Sequence, residues 1–413
     1  MIVSSDDSGR RPAHSRARAR AGILAGILAL VSTTTPVMPS DWVEREATRE
    51  AMQSIFESLQ YLLEVDVSTG GLANPANEQR VLESLHELDD QSAILASHGF
   101  SDDAVGVFLA SVLERYSLML LRGYEHGEYE KVEEFLYGIT DVCIACHTRL
   151  PSAEDSPVAR HFVDSRAVAS LSPGKRARIE VATRRFDESL NTLETLIEES
   201  EMANPDALED VLRTYLIVSI RVKGDMERPI PMLELVRGRT PAKTEWHRDI
   251  GSWIESLESY RDIPVVGDPL GAARDIIEAA GDGAFPDERS AMVEYIAASS
   301  LLHRYLATKP IDTMELSEAH YLLGLSEYRI HRDDWLPQAE LYLEIAIVLA
   351  PDAPWARPAY DLLVERIERT YAPMHGGRVP PEVEERLKEL EEAIENGRPP
   401  SARSNDGMPA RVG

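Results

Sequence analysis

The five residues Cys143-Ile144-Ala145-Cys146-His147 contain both cysteines of a 413-residue chain, and a histidine follows the second directly. C-x-x-C-H is the spacing of covalent haem c attachment. Two thiols add to the haem vinyl groups and the histidine reaches the iron from one side. A flat macrocycle bonded at three points needs all three side chains on one face. On a helix Cys143 and Cys146 stand at i and i+3, and His147 at i+4 from Cys143, so one face carries the set. The motif therefore calls for a helix.

Three other chemistries use the same residue types. A thiol–disulfide redox pair usually sits between a strand and a helix, and no strand pattern lies near residue 143. A structural zinc needs four ligands, but Cys146 and His147 are neighbours and no second cysteine pair exists. A plain disulfide between the two thiols is the third.

Covalent haem of this type calls for export, and the N-terminus fits. Arg10, Arg11, Arg16, Arg18 and Arg20 precede an apolar run, Ala21 to Val31. That run has the length of a signal-peptide core and is short for a bilayer span. Residues 1–40 are read as a signal peptide or a retained N-terminal anchor, which places the chain in a periplasm. The net charge is −28, from 71 acidic against 43 basic residues. Such a chain does not hold nucleic acid by neutralising phosphates. The acidic excess either keeps the chain soluble or steers a basic redox partner.

Residues 41–150 show the 3.6-residue pattern four times. Ala47, Ala51, Ile55, Leu59 and Leu62 mark a helix over 41–65. Val81, Leu82, Leu85, Leu88, Ile94 and Leu95 mark a second over 75–97. Ser101 caps a third, with Asp102 and Asp103 in its first turn, and Val105 to Leu120 forms a wide apolar stripe. Val132, Phe135, Ile139, Val142 and Cys146 define the fourth. Four helices of about 20 residues with short connections predict an antiparallel four-helix bundle. The C-terminal end of the fourth helix then lies near the N-terminal end of the first. His86, His98 and His126 read as surface or loop histidines.

This region resembles the cytochrome c prime family, the four-helix class II cytochromes c. Gly127-Glu128, Val132, Phe135 and the C-I-A-C-H stretch carry the resemblance, together with Arg49 and Met52 in TREAMQSIF. It implies a bundle carrying one haem c, with His147 as the proximal iron ligand. Low-spin relatives place a methionine on the first helix, so the resemblance makes Met52 a distal iron ligand, with simple packing in the bundle as its other role. Arg49 is matched to a family arginine and would pair with a haem propionate. One departure follows the histidine: family members usually show an aromatic and a basic residue there, and Thr148-Arg149-Leu150-Pro151 in this chain implies a helix that ends sooner.

Residues 151–173 read as a linker, residues 174–397 as a helical repeat domain and residues 398–413 as a disordered tail. Arg176–Arg185 with Phe186–Glu198 forms one helix pair, and residues 207–236 form a second, turning at Lys223-Gly224-Asp225. Ala319 to Pro351 is the clearest unit, with Leu323-Gly324, then Ala339, Leu343, Ala346 and Pro351. These spacings resemble a tetratricopeptide repeat and imply an α-solenoid whose concave surface binds a protein or peptide. Helices at 245–260, 271–280, 287–307, 355–370 and 382–395 complete the domain, the last as a cap.

The fold class expected is all-α. The function expected is that of a haem-binding electron carrier or redox sensor on a partner-binding scaffold, not an enzyme. Two alternatives stay open: a binder of nitric oxide or carbon monoxide at an open iron, and an assembly protein in which the haem only stabilises the bundle.

Overall fold

The computed structural model describes residues 40–98, 103–149, 166–200, 205–261, 267–281, 289–330, 336, 338–371 and 378–400. The leader up to residue 39, linker residues 151–165 and tail residues 401–413 lie outside them. The described residues form sixteen α-helices and no strand.

The first four are α1 (Ser40–Asp66), α2 (Glu78–His98), α3 (Ala104–Glu125) and α4 (Tyr129–Arg149). They pack in succession, α1 on α2, α2 on α3 and α3 on α4. Their directions alternate. Ser92 meets Ser117 across α2 and α3 at 2.9 Å. Tyr116 stacks edge-on to Phe135 across α3 and α4. The α3–α4 approach is close because Gly123 and Gly138 have no side chain. A β-carbon on either would stand 3.2 Å from Val132 or Tyr116 respectively. By composition α3 is long and apolar enough to cross a membrane, but its Val105, Leu109, Val112, Leu113 and Leu120 are buried in this core.

Two boundaries differ from expectation. The second helix starts at Glu78 because Asn74 accepts the Ala76 N–H at 3.0 Å, closing a turn ahead of it. Asp103, not Ser101, caps α3: its side chain accepts the Val105 N–H at 3.2 Å. Ile94, expected in the apolar stripe of α2, is exposed.

The expected linker contains a short helix, α5 (Arg166–Ser170), which packs on α1. Then follow α6 (Pro173–Ala182), α7 (Phe186–Glu199), α8 (Pro205–Leu216), α9 (Pro229–Arg239), α10 (Glu245–Tyr260) and α11 (Pro269–Ala280). The chain ends in α12 (Met292–Ala307), α13 (Thr313–Ile330), α14 (Gln338–Leu349), α15 (Ala356–Tyr371) and α16 (Pro381–Asn396). A π-helical turn, Ile217–Val222, extends α8. Most successive helices pack together, and several touch the next but one: α7 with α9, α11 with α13, α13 with α15 and α14 with α16. Gly324 lies at the tightest crossing, where a β-carbon would stand 2.7 Å from the Leu343 side chain. The α6 helix packs on α4 and the π turn packs on both α4 and α12. One apolar core therefore runs from Ile55 in α1 to Tyr342 in α14 without a break.

Candidate functional site

Cys143, Cys146 and His147 lie on the buried face of α4, with 9%, 8% and 5% of their surfaces exposed. The two thiols are not bonded to each other. Burial, and then the neighbouring Cys146, push the Cys143 thiol up to about 12. Burial raises Cys146 as well. Both shifts run upward, the opposite of the lowered thiol pKa that disulfide exchange requires. Among the described residues no three His, Cys, Asp or Glu side chains converge as a metal-ion site.

The imidazole of His147 is oriented by another helix. Nδ1 lies 2.7 Å from the carbonyl oxygen of Ala182, at the end of α6. A carbonyl only accepts, so Nδ1 carries the proton and Nε2 keeps its lone pair. Burial, and then the charge of Arg184, hold the ring neutral, with a pKa of about 3. A neutral histidine whose other ring nitrogen donates to a carbonyl is the usual state of a histidine ligating a metal. Ala182 was not legible as a partner in the sequence, because 35 residues separate it from His147.

The facing helix is α1, running antiparallel to α4. Tyr137 donates to Asp66 at 3.2 Å, and the rings of Phe56 and His147 lie 6.3 Å apart. Both contacts fit one register, in which ten residues up α4 match ten residues down α1. Phe56 is therefore level with His147. Met52, half-buried against the core, stands one turn further, about 6 Å along the axis. Arg49, nearly another turn away, is exposed.

Beyond the histidine, Arg149 is buried and pairs with Asp103, with a second hydrogen bond from Nη1 at 3.1 Å. Burial alone would raise the Asp103 carboxyl; the hydrogen bond and charge of Arg149 hold it below the usual range. The same aspartate caps α3, so the start of α3 and the end of α4 are locked together. That pair fixes the end of the motif helix.

A cleft of about 160 Å³ opens on the opposite face of α4, lined by Ile144, Ala145 and Thr148 and by residues of α6, α8, α13, α14 and α15. Four arginines reach it, each with a carboxylate partner: Arg178 with Asp141, Arg213 with Asp210, Arg221 with Glu327 and Arg366 with Glu340. Comparison with protein-family models, curated proteins and solved structures returns no match, so the geometry of the site carries the functional argument.

Proposed function

We propose that this chain is an exported mono-haem c-type cytochrome that transfers electrons or senses redox state. Residues 41–150 are its cytochrome c prime-like four-helix domain, and residues 174–397 a tetratricopeptide-like solenoid that recruits a protein partner. The observation that carries this reading is the combination on one helix face of two buried, free thiols and a buried histidine. The Nδ1–H of that histidine is engaged by the Ala182 carbonyl.

The chemistry of this donor set, two thiols and an imidazole on one helix face, suits haem c. Cys143 and Cys146 would hold its two edges by thioethers, and His147 would offer Nε2 to the iron. The Ala182 carbonyl keeps the ring from turning and fixes the donor tautomer. Haem bound there would supply one-electron ferrous–ferric chemistry. Phe56, Cys143 and Cys146 keep the surroundings apolar, which limits water at the histidine. The acidic surface favours encounter with a basic redox partner. The close α13–α14 crossing at Gly324 supports the repeat reading, since the small residue permits the tight helix pair of such a unit.

The test is a haem stain of the denatured protein on a gel, with a reduced-minus-oxidised spectrum. Expression in a host with a haem-attachment pathway should give haem that stays with the polypeptide. Haem that washes out on denaturation, or none at all, overturns the proposal.

A further inference from the structure

The corner joining α6 to α7 carries a strained residue beside the site. The Arg184 N–H bonds to the Val181 carbonyl at 3.0 Å and the Arg185 N–H to the Glu180 carbonyl at 2.7 Å. These are the paired hydrogen bonds of a Schellman helix end, whose left-handed position is normally glycine. Here that position is Arg184, with φ at 62°. Among the described residues only Lys309 is another non-glycine with positive φ. A β-carbon is disfavoured in that region. Such strain persists where the surroundings impose it, and it concentrates at functional sites.

What the arginine contributes there is charge. Arg184 is only part-exposed, and it lies close enough to act electrostatically on both His147 and Cys146. The same corner supplies the Ala182 carbonyl to His147. Two independent features of one turn, a strained cationic residue and a hydrogen-bond acceptor, thus converge on the motif from outside residues 41–150.

We infer that this corner completes the haem site: Ala182 orients His147, and Arg184 is a positioning residue whose fixed cation raises the reduction potential. The inference rests on the haem reading given above. When the site takes one electron from a donor protein, its net charge falls by one. A nearby fixed cation stabilises the less positive, ferrous state more than the ferric one. The repeat half therefore tunes the haem directly and is not a passive scaffold.

The experiment uses the full-length protein and its Arg184→Gly, Arg184→Asn and Arg184→Lys variants. Glycine and asparagine tolerate the left-handed region and remove the charge; lysine keeps the charge. Covalent haem is checked on a denaturing gel, and the midpoint potential is measured by spectroelectrochemical titration. The glycine and asparagine variants should shift the ferrous–ferric equilibrium about tenfold toward ferric, which is about 59 mV downward for one electron. The lysine variant should stay near the parent. Haem-loaded variants that all share the parent's potential overturn this inference and leave the haem reading standing. A parent protein without covalent haem overturns both.

Discussion

His303 should make the stability of this fold sensitive to acid. It sits in α12 with 6% of its surface exposed. Its Nε2 lies 3.7 Å from Glu327, and the Tyr342 ring stands 6.2 Å away. Burial lowers its pKa, the nearby Glu327 carboxylate raises it, and the charges of Arg221 and Arg149 lower it again; the balance is about 4, against 6.5 for a free histidine. The folded value is depressed, so between the two the unfolded chain binds a proton that the native one does not. Stability is then complete above pH 6.5 and falls as the pH drops toward 4. The loss from this group is about 2 kcal/mol at pH 5 and about 3 kcal/mol at pH 4. Urea unfolding of the parent and of His303→Gln at pH 7.5 and pH 5 measures it. Glutamine can hydrogen-bond Glu327 and does not titrate. Other buried histidines, such as His320, whose pKa burial also lowers, act in both proteins and cancel. The variant should lose about 2 kcal/mol less than the parent over that interval. Equal losses in the two would refute the assignment of acid sensitivity to His303.

Further expectations concern the helix crossing, the buried ion pair and the iron. Gly324→Ala places a β-carbon 2.7 Å from Leu343 side-chain atoms and 3.1 Å from its backbone nitrogen. Overpacking of about 1–3 kcal/mol, less the roughly 1 kcal/mol gained in helix propensity, gives a lowered melting temperature. Gly174→Ala, which meets nothing within 4 Å, is the control and should not fall. Arg221→Met strands Glu327, which is 2% exposed and 2.8 Å from the guanidinium, and should cost about 3–5 kcal/mol in denaturant unfolding. Adding Glu327→Leu should recover most of that loss; a further loss of similar size would refute the pairing argument. Met52→Ala separates the electron carrier from the gas binder. A low-spin haem spectrum that turns high-spin identifies Met52 as the distal ligand, and an unchanged spectrum restricts it to packing.

Much of the helical architecture was legible because its signal is local. The stripes of α1, α3 and α4 repeat at 3.6 residues, and α10 matches its expected span at both ends. Boundaries moved where a single side chain chose between two uses. Asp103 reads as a first-turn acid, but its side chain accepts the Val105 N–H and caps α3 while also pairing with Arg149. The motif face was legible for the same local reason: i, i+3 and i+4 share a face whatever surrounds them. Its environment was not. The Ala182 carbonyl has no side-chain signature, and nothing in Thr183-Arg184-Arg185 marks a left-handed residue where glycine is the usual occupant. Arg149 read as the end of a helix and a departure from a family pattern, yet it is 6% exposed. Contacts of that kind depend on how the later helices return to α4, which no local pattern encodes.

That return also separates packing from function at Arg184. A residue kept for its contacts loses stability when replaced by glycine. A residue kept in spite of its backbone gains it. The left-handed region costs an L-residue roughly 1–2 kcal/mol, and the greater freedom of glycine in the unfolded chain takes back up to about 1 kcal/mol. Arg184→Gly should therefore be as stable as the parent or up to about 2 kcal/mol more stable in urea unfolding. Together with a lowered haem potential, that result would mean the corner holds a strained cation for the sake of the iron site. A variant that is clearly less stable would show that the contacts of Arg184 outweigh its strain. The backbone would then give no reason to assign the residue to the haem, and the potential measurement alone would have to decide.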